Sequence, residues 1–234
     1  VDNASGEVLA WVGSSGELSR AEEVDAVLAP RQPGSTLKPF LYGQAIAQHK
    51  LTAASLIEDS PARIPTAGGL YIPQNYDRSF KGWVSVRTAL GASLNVPAVR
   101  ALVVVGVDDF FSQLNRLGMP LRESGSYFGY SLALGSPEIP LLQLTNAYRA
   151  LANGGRYSAV AYKQGGKPQF SQALDAGAAF VVGDMLSDNN ARVRTFGSSS
   201  VLGTRSWTAV KTGTSKDMRD NWAVGWSQRY TVGV

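Results

Sequence analysis

The 234-residue chain is 44% hydrophobic and 17% charged, a balance that excludes a disordered or coiled segment and supplies enough apolar side chain for a sizeable core. Lys and Arg outnumber Asp and Glu by 22 to 18, a net charge of +4, but the basic residues are scattered singly, so no nucleic-acid footprint is expected. One histidine and no cysteine exclude the usual zinc sites and a Cys-His dyad, and make any Ser-His-Asp triad depend on His49 alone.

In chain order, positions 8–12 are Val-Leu-Ala-Trp-Val after a Ser5-Gly6 turn, which predicts a strand. Pro39 has no N–H and is tolerated only around a first helical turn, so a helix is expected to begin there and to end near His49, leaving that histidine exposed and outside the chemistry. Positions 51–82, with Gly68-Gly69 and Tyr71-Ile72-Pro73, are expected to be extended or looped. The longest apolar run, 101–105, is far too short to span a bilayer, and no signal peptide opens the sequence, so any anchor is expected outside this chain.

A helix over 108–117 is closed by Gly118 and then Pro120. Leu141, Leu144, Tyr148 and Leu151 share one helical face between Pro140 and Gly154-Gly155, and Ala179, Val182 and Leu186 mark another helix that runs out at Asp188-Asn189-Asn190. Positions 207–211, 221–226 and 230–234 are short β-prone runs that predict an antiparallel meander. The sum is an α+β fold in one domain over 1–234. Its sheet lobe takes in both chain ends, about 1–30 and 200–234, its helical lobe covers about 35–195, and a site is expected in the cleft between them.

Three short motifs carry chemistry. In Pro33-Gly34-Ser35-Thr36-Leu37-Lys38-Pro39-Phe40, Ser35 and Lys38 sit one helical turn apart, so the ammonium can come within reach of the hydroxyl, and Pro39 puts Ser35 at the helix N-terminus, where free N–H groups favour an oxyanion. A capped surface helix would show the same spacing. In Ser93-Leu94-Asn95, a hydroxyl and an amide one residue apart in an extended loop point the same way, as does an ordinary turn before Pro97. In Lys211-Thr212-Gly213-Thr214-Ser215, strand geometry puts Lys211, Gly213 and Ser215 on one side and the threonines on the other. Gly213 leaves room for a ligand's backbone along that edge, though a plain edge strand has the same pattern. Val210 before Lys211-Thr212 breaks the P-loop pattern.

In this order the motifs resemble the Ser-x-x-Lys, Ser-x-Asn, Lys-Thr-Gly set of penicillin-binding proteins and serine β-lactamases. Gly6-Glu7-Val8-Leu9-Ala10, Asn75-Tyr76, Ala147-Tyr148, Ala152-Asn153-Gly154-Gly155 and Asp220-Asn221-Trp222 extend the likeness to the bifunctional, class A penicillin-binding proteins, and the stretch from Pro33 to Tyr42 leans toward the penicillin-binding protein 1C subgroup. The resemblance implies a serine β-lactamase/penicillin-binding-protein transpeptidase-like fold and a D,D-transpeptidase that needs no metal or cofactor. Ser35 would be the acylated nucleophile, Lys38 the base and Lys211 the cation that keeps Lys38 neutral, with Ser93 as a proton relay and Asn95 holding the substrate amide. The N–H groups of Ser35 and Thr214 would form the oxyanion hole, and the Thr212 and Thr214 hydroxyls beside Gly213 would take the substrate carboxylate.

The implied partners are the D-Ala-D-Ala end of a peptidoglycan stem peptide, an acceptor amine and β-lactam antibiotics. The implied place is the periplasmic face of the bacterial inner membrane, with a glycosyltransferase domain and an anchor outside this chain. Two rivals stay open. One is a class D-like β-lactamase, whose Ser-x-x-Lys lysine can act as a carbamate and which rapid turnover of a chromogenic cephalosporin would favour, although Glu58, Glu123 and Glu138 are isolated and none is marked as a hydrolytic base. The other is a β-lactam-sensing or structural module, which would not process stem peptide.

Overall fold

A helix that is apolar on every side has to be enclosed by the rest of the chain. This holds for α1 (Lys38–Ala47), in which eight consecutive residues from Lys38 to Ala45 are buried. The computed structural model describes residues 1–18, 21–66, 68–119 and 121–234. After α1 come the short strands β1 (Leu56–Asp59), β2 (Ile64–Thr66), β3 (Gly69–Tyr71) and β4 (Gly82–Ser85), then helices α2 (Val86–Gly91), α3 (Asn95–Val105), α4 (Val107–Arg116), α5 (Gly125–Phe128) and α6 (Leu141–Ala152). The chain continues through β5 (Arg156–Tyr157), β6 (Ser171–Gln172), α7 (Ala176–Ser187) and α8 (Asn189–Phe196), and closes with β7 (Ala209–Thr214), β8 (Asn221–Trp226) and β9 (Thr231–Gly233).

The expected C-terminal meander is present. β7 pairs antiparallel with β8, from Ala209 opposite Trp226 to Thr214 opposite Asn221, and β8 pairs with β9. α6 packs against β8 and β9, and α7 against β7, while α1 lies chiefly between α3 and α7. Aromatic rings join these layers: Phe40 of α1 meets Tyr148 of α6 edge-on at 5.2 Å, and Tyr148 meets Trp226 of β8 at 5.9 Å. Burying Phe40 alone is worth about 1.5–3 kcal/mol.

The strand expected over 8–12 does not form. Those residues have no regular structure, and Leu9 and Val12 are 55% and 78% exposed. Pairing stops at a parallel bridge between Glu7 and Ala161 and the bond from Val8 N–H to the Ala161 carbonyl, and β-formers without a continuing ladder or a face to bury gain little from extension. The chain start still reaches the sheet through an isolated bridge between Asp2 and Tyr230 and the bond from Thr231 N–H to the Val1 carbonyl at 2.9 Å. Positions 51–82 are extended or looped as expected: β1 pairs with β4 and β2 with β3, with turns and loops between them.

The helices expected around 108–117, 141–151 and 179–186 are α4, α6 and α7, and Pro120 lies outside the described residues. Asp188 ends α7 but also starts α8, because its Oδ1 accepts from Asn190 N at 2.9 Å and Ala191 N at 3.3 Å. The Asp-Asn-Asn run that marks a stop is equally a helix N-cap, which is why α8 was not expected.

Candidate active site

Ser35 sits half-buried on a 3₁₀ turn, Gly34–Leu37, that runs directly into α1. Gly34 has φ +57°, a left-handed conformation that costs glycine nothing, and a Cβ there would lie 2.4 Å from the Thr214 carbonyl oxygen. The turn is held from three sides. Tyr148 Oη donates to the Thr36 carbonyl at 2.7 Å, Trp222 Nε1 donates to the Gln32 carbonyl at 2.9 Å, and Arg31 pairs with Asp220 at 3.1 Å. The Tyr148, Asp220 and Trp222 quoted above for family likeness thus brace the serine.

Ser93 and Asn95 are not on an extended loop. Leu94 N–H donates to the Ala89 carbonyl and Ser93 N–H to the Leu90 carbonyl, the paired bonds that close a helix C-terminus in a left-handed turn. Ser93 takes the turn position, at φ +60°, where glycine is usual. Asn95 then opens α3. This corner between two helices directs both polar side chains into one cleft of about 950 Å³, also lined by Ser35, Thr212, Gly213 and Thr214.

Lys38 and Lys211 lie beneath that cleft, 0% and 2% exposed. Lys38 Nζ donates to the Ser93 carbonyl and to Asn95 Oδ1, both at 2.7 Å, while Lys211 Nζ donates to Ser93 Oγ at 2.8 Å and the Thr212 carbonyl at 2.7 Å. Among the described residues no hydrogen bond joins Lys38 Nζ to Ser35, although the spacing permits one; two acceptors from the Ser93 corner hold the amine. Neither lysine has a carboxylate partner among the described residues. Burial, and then the Lys211 charge, push Lys38 well below the usual lysine range. Burial, and then the Arg192 guanidinium of α8, push Lys211 down to about 7. Desolvation and like charge both disfavour the ammonium, so a lysine here can lose its proton near neutrality.

Strand β7 alternates as expected, with Lys211, Gly213 and Ser215 buried and Thr214 exposed to the cleft. Gly213, however, does not make room for a ligand backbone. A Cβ there would lie 2.4 Å from the Pro33 carbonyl oxygen and 3.0 Å from Thr36 N, so the missing side chain lets β7 press against the nucleophile turn. Gly213→Ala is therefore expected to destabilise the fold by about 1–3 kcal/mol and to slow any reaction of Ser35, measured by thermal unfolding and by acylation rate. An unchanged melting temperature would show that the turn tolerates the methyl group.

His49 is exposed just beyond α1, at φ +56°, and Glu123 and Glu138 are exposed while Glu58 lies 4.0 Å from Arg100. None of the four lines the cleft. The sequence reading missed Asp59 and Arg192, both buried. Alternation along β1 puts Asp59 on the buried side with Ile57, a usable signal, whereas Arg192 lies on the helix that was not expected.

The family described as the penicillin binding protein transpeptidase domain matches residues 1–233. The chain is 35% identical over its full length to penicillin-binding protein 1C of Escherichia coli (strain K12), covering 30% of that protein, and 34% identical to penicillin-binding protein 1A of Neisseria lactamica, covering 31%. It thus spans under a third of the length of these relatives. Its fold superimposes on the crystal structure of penicillin-binding protein 1A from Haemophilus influenzae with a TM-score of 0.83, at 22% identity, covering all of this chain and 42% of the other. With the three motifs gathered at one cleft, as such a domain requires, the chain belongs to the penicillin-binding protein transpeptidase family, as the transpeptidase domain of a class A member.

Proposed function

We propose that this domain cross-links peptidoglycan stem peptides through an acyl-enzyme on Ser35 and that β-lactams inhibit it by acylating the same oxygen. The observation that carries the proposal is a half-buried serine lining a cleft beside two buried lysines that have no carboxylate partner among the described residues. Lys38, held neutral, takes the Ser35 proton as Oγ attacks the carbonyl of the penultimate D-Ala. The N–H groups of Ser35 and Thr214 stabilise the oxyanion, and the terminal D-Ala leaves as its nitrogen takes a proton relayed through Ser93. An amine of a second stem then attacks the Ser35 ester, forming the cross-link and returning the proton to Ser35. Asn95 orients the substrate amide, and the Thr212 and Thr214 hydroxyls beside Gly213 bind the carboxylate.

This reading sets the two-lobed domain over 1–234 in a larger protein that works at the periplasmic face of the inner membrane. No helix among the described residues is long and apolar enough to cross a membrane, so anchorage is assigned to the rest of the protein, together with the glycosyltransferase. Transpeptidation is favoured over β-lactam hydrolysis because no glutamate among the described residues lines the cleft, and of the two aspartates that do, Asp77 is engaged by Lys81 at 2.6 Å and Asp217 is exposed to solvent. Incubating the chain with a D-Ala-D-Ala stem peptide and an amine acceptor is expected to release D-Ala and yield the cross-linked product. Hydrolysed peptide alone would point to a carboxypeptidase, and no D-Ala release would refute the reading.

The carboxylate assignment makes its own prediction. Thr214→Val removes the hydroxyl and keeps the backbone donor, so acylation by carboxylate-bearing β-lactams is expected to slow roughly ten- to a hundredfold, in line with the loss of about 1.5–3 kcal/mol for a charge-assisted hydrogen bond. An unchanged stopped-flow acylation rate would remove Thr214 from the carboxylate site.

A further inference from the structure

A carboxylate withdrawn from water has to have its lone pairs met by donors. Asp59, at the end of β1, is 0% exposed and has no ion-pair partner among the described residues. Donors meet both of its oxygens. Asn75 Nδ2 reaches Oδ1 and Oδ2 at 2.8 Å each, and Lys81 N–H donates to Oδ2 at 2.8 Å.

Asn75 is itself 4% exposed and turns its other end to the active site. Its Oδ1 accepts from Asn95 N at 2.8 Å and Val96 N at 3.3 Å, the first two N–H groups of α3, which have no acceptor within the helix. Its Nδ2 also donates to the Ser79 carbonyl at 2.9 Å. Asn95 continues the chain, with Nδ2 donating to the Gln74 carbonyl at 2.9 Å and Oδ1 accepting from Lys38 Nζ at 2.7 Å. One line of hydrogen bonds therefore runs from β1 to the amine beneath Ser35.

The chemistry of Asp59, together with the α3 N–H groups and the Ser79 carbonyl, sets the direction of that line. An amide can face either way by exchanging its oxygen and nitrogen, but an ionised carboxylate only accepts. Turned over, Asn75 would set its oxygen against Asp59 and the Ser79 carbonyl and its NH₂ against the two N–H groups of α3, losing all five contacts at once.

We propose that Asp59 is a positioning residue for acyl transfer, which fixes the orientation of Asn75 and so holds the Ser93–Asn95 corner and, through Asn95, Lys38. The inference rests on the transpeptidase reading above. It differs from a purely structural role in that the chemical step should suffer more than binding, because Asp59 acts on the Lys38 side of the cleft and leaves Thr212 and Thr214 untouched.

The test is Asp59→Asn, with stopped-flow acylation by a fluorescent penicillin resolved into a dissociation constant and a first-order acylation constant. The acylation constant is expected to fall about tenfold to a hundredfold, with the dissociation constant within about threefold of the parent. The exchange variant D59N/N75D places an amide donor opposite a carboxylate again and restores the acceptor for Asn95 and Val96, so it is expected to acylate roughly tenfold faster than D59N. Parent-like acylation in folded D59N would overturn the proposal, as would a D59N whose only change is a lower melting temperature or active fraction, or an exchange variant no faster than D59N. Should D59N not fold, the exchange variant is read against the parent, with acylation within about tenfold supporting the proposal and a loss beyond about a hundredfold overturning it. A parent chain that penicillin does not acylate would instead bring down the transpeptidase reading on which the proposal stands.

Discussion

Ser35→Ala is expected to abolish covalent labelling by penicillin, lowering the acylation rate by at least about 10⁴-fold, because no other hydroxyl in the cleft has the same surroundings. Ser93 is the nearest rival, since it lines the same cleft. Its Oγ, however, already accepts from Lys211 Nζ at 2.8 Å, and it sits on a helix C-terminal turn, where carbonyls rather than free N–H groups face outward. Ser35 lies at the opposite kind of end, on the first turn of the helical run that leads into α1. The fold should survive the change, because Thr36, Gln32 and Gly34 hold the turn through other atoms. Intact mass after incubation checks the point, and an adduct on Ser35→Ala would place the nucleophile elsewhere.

Lys38→Arg has the second largest expected effect, a fall in acylation of about 10²- to 10⁴-fold, the range for losing a general base. Arginine keeps the positive charge but does not deprotonate at accessible pH, so the variant separates a need for charge from a need for a neutral amine. The sign of the pH dependence follows from the environment. Burial and the Lys211 charge lower the Lys38 pKa, so its neutral form appears at a lower pH than for an exposed lysine, and parent acylation should rise with pH. As pH falls both lysines become protonated and acylation should fade. Because Lys211 is itself brought down to about 7, the observed midpoint belongs to the pair. The arginine variant should be slow and flat with pH, and one that follows the parent's rise would exclude Lys38 as the base.

Much of the site was legible in the sequence because its parts obey local rules. Pro39 fixed where α1 could begin, and with it the placement of Ser35, while alternation along 209–214 correctly divided Lys211 from Thr214. What was not legible depends on contacts distant in sequence. Gly213 looks like space for a ligand until Pro33 and Thr36 are seen to fill that space. Ser-x-x-Lys spacing suggests a direct bond, but the Lys38 amine is held by Ser93 and Asn95, 55 and 57 positions away. The failed strand over 8–12 has the same origin, since its composition favours extension but pairing stops at the bridge beside Ala161.

Asp59 shows how a buried polar residue escapes a motif search. Alternation along β1 marks it only as buried, and its importance comes from Asn75, 16 positions on, and from the helix that Asn75 caps. Arg192 belongs to the same class: 3% exposed, it donates from its guanidinium to the carbonyls of Leu186 and Leu202, and its positive charge helps lower the Lys211 pKa. Both residues act on the reacting groups from behind.

The claim that Ser35 forms a long-lived acyl-enzyme is tested most directly by intact mass and peptide mapping of the unmodified chain after brief exposure to penicillin, followed over hours. The expected result is the gain of one penicillin mass, located on the peptide that carries Ser35 and still present after hours, since no glutamate among the described residues lines the cleft to activate a deacylating water. No adduct, an adduct on another residue, or one that disappears within minutes as hydrolysed penicillin accumulates would contradict it.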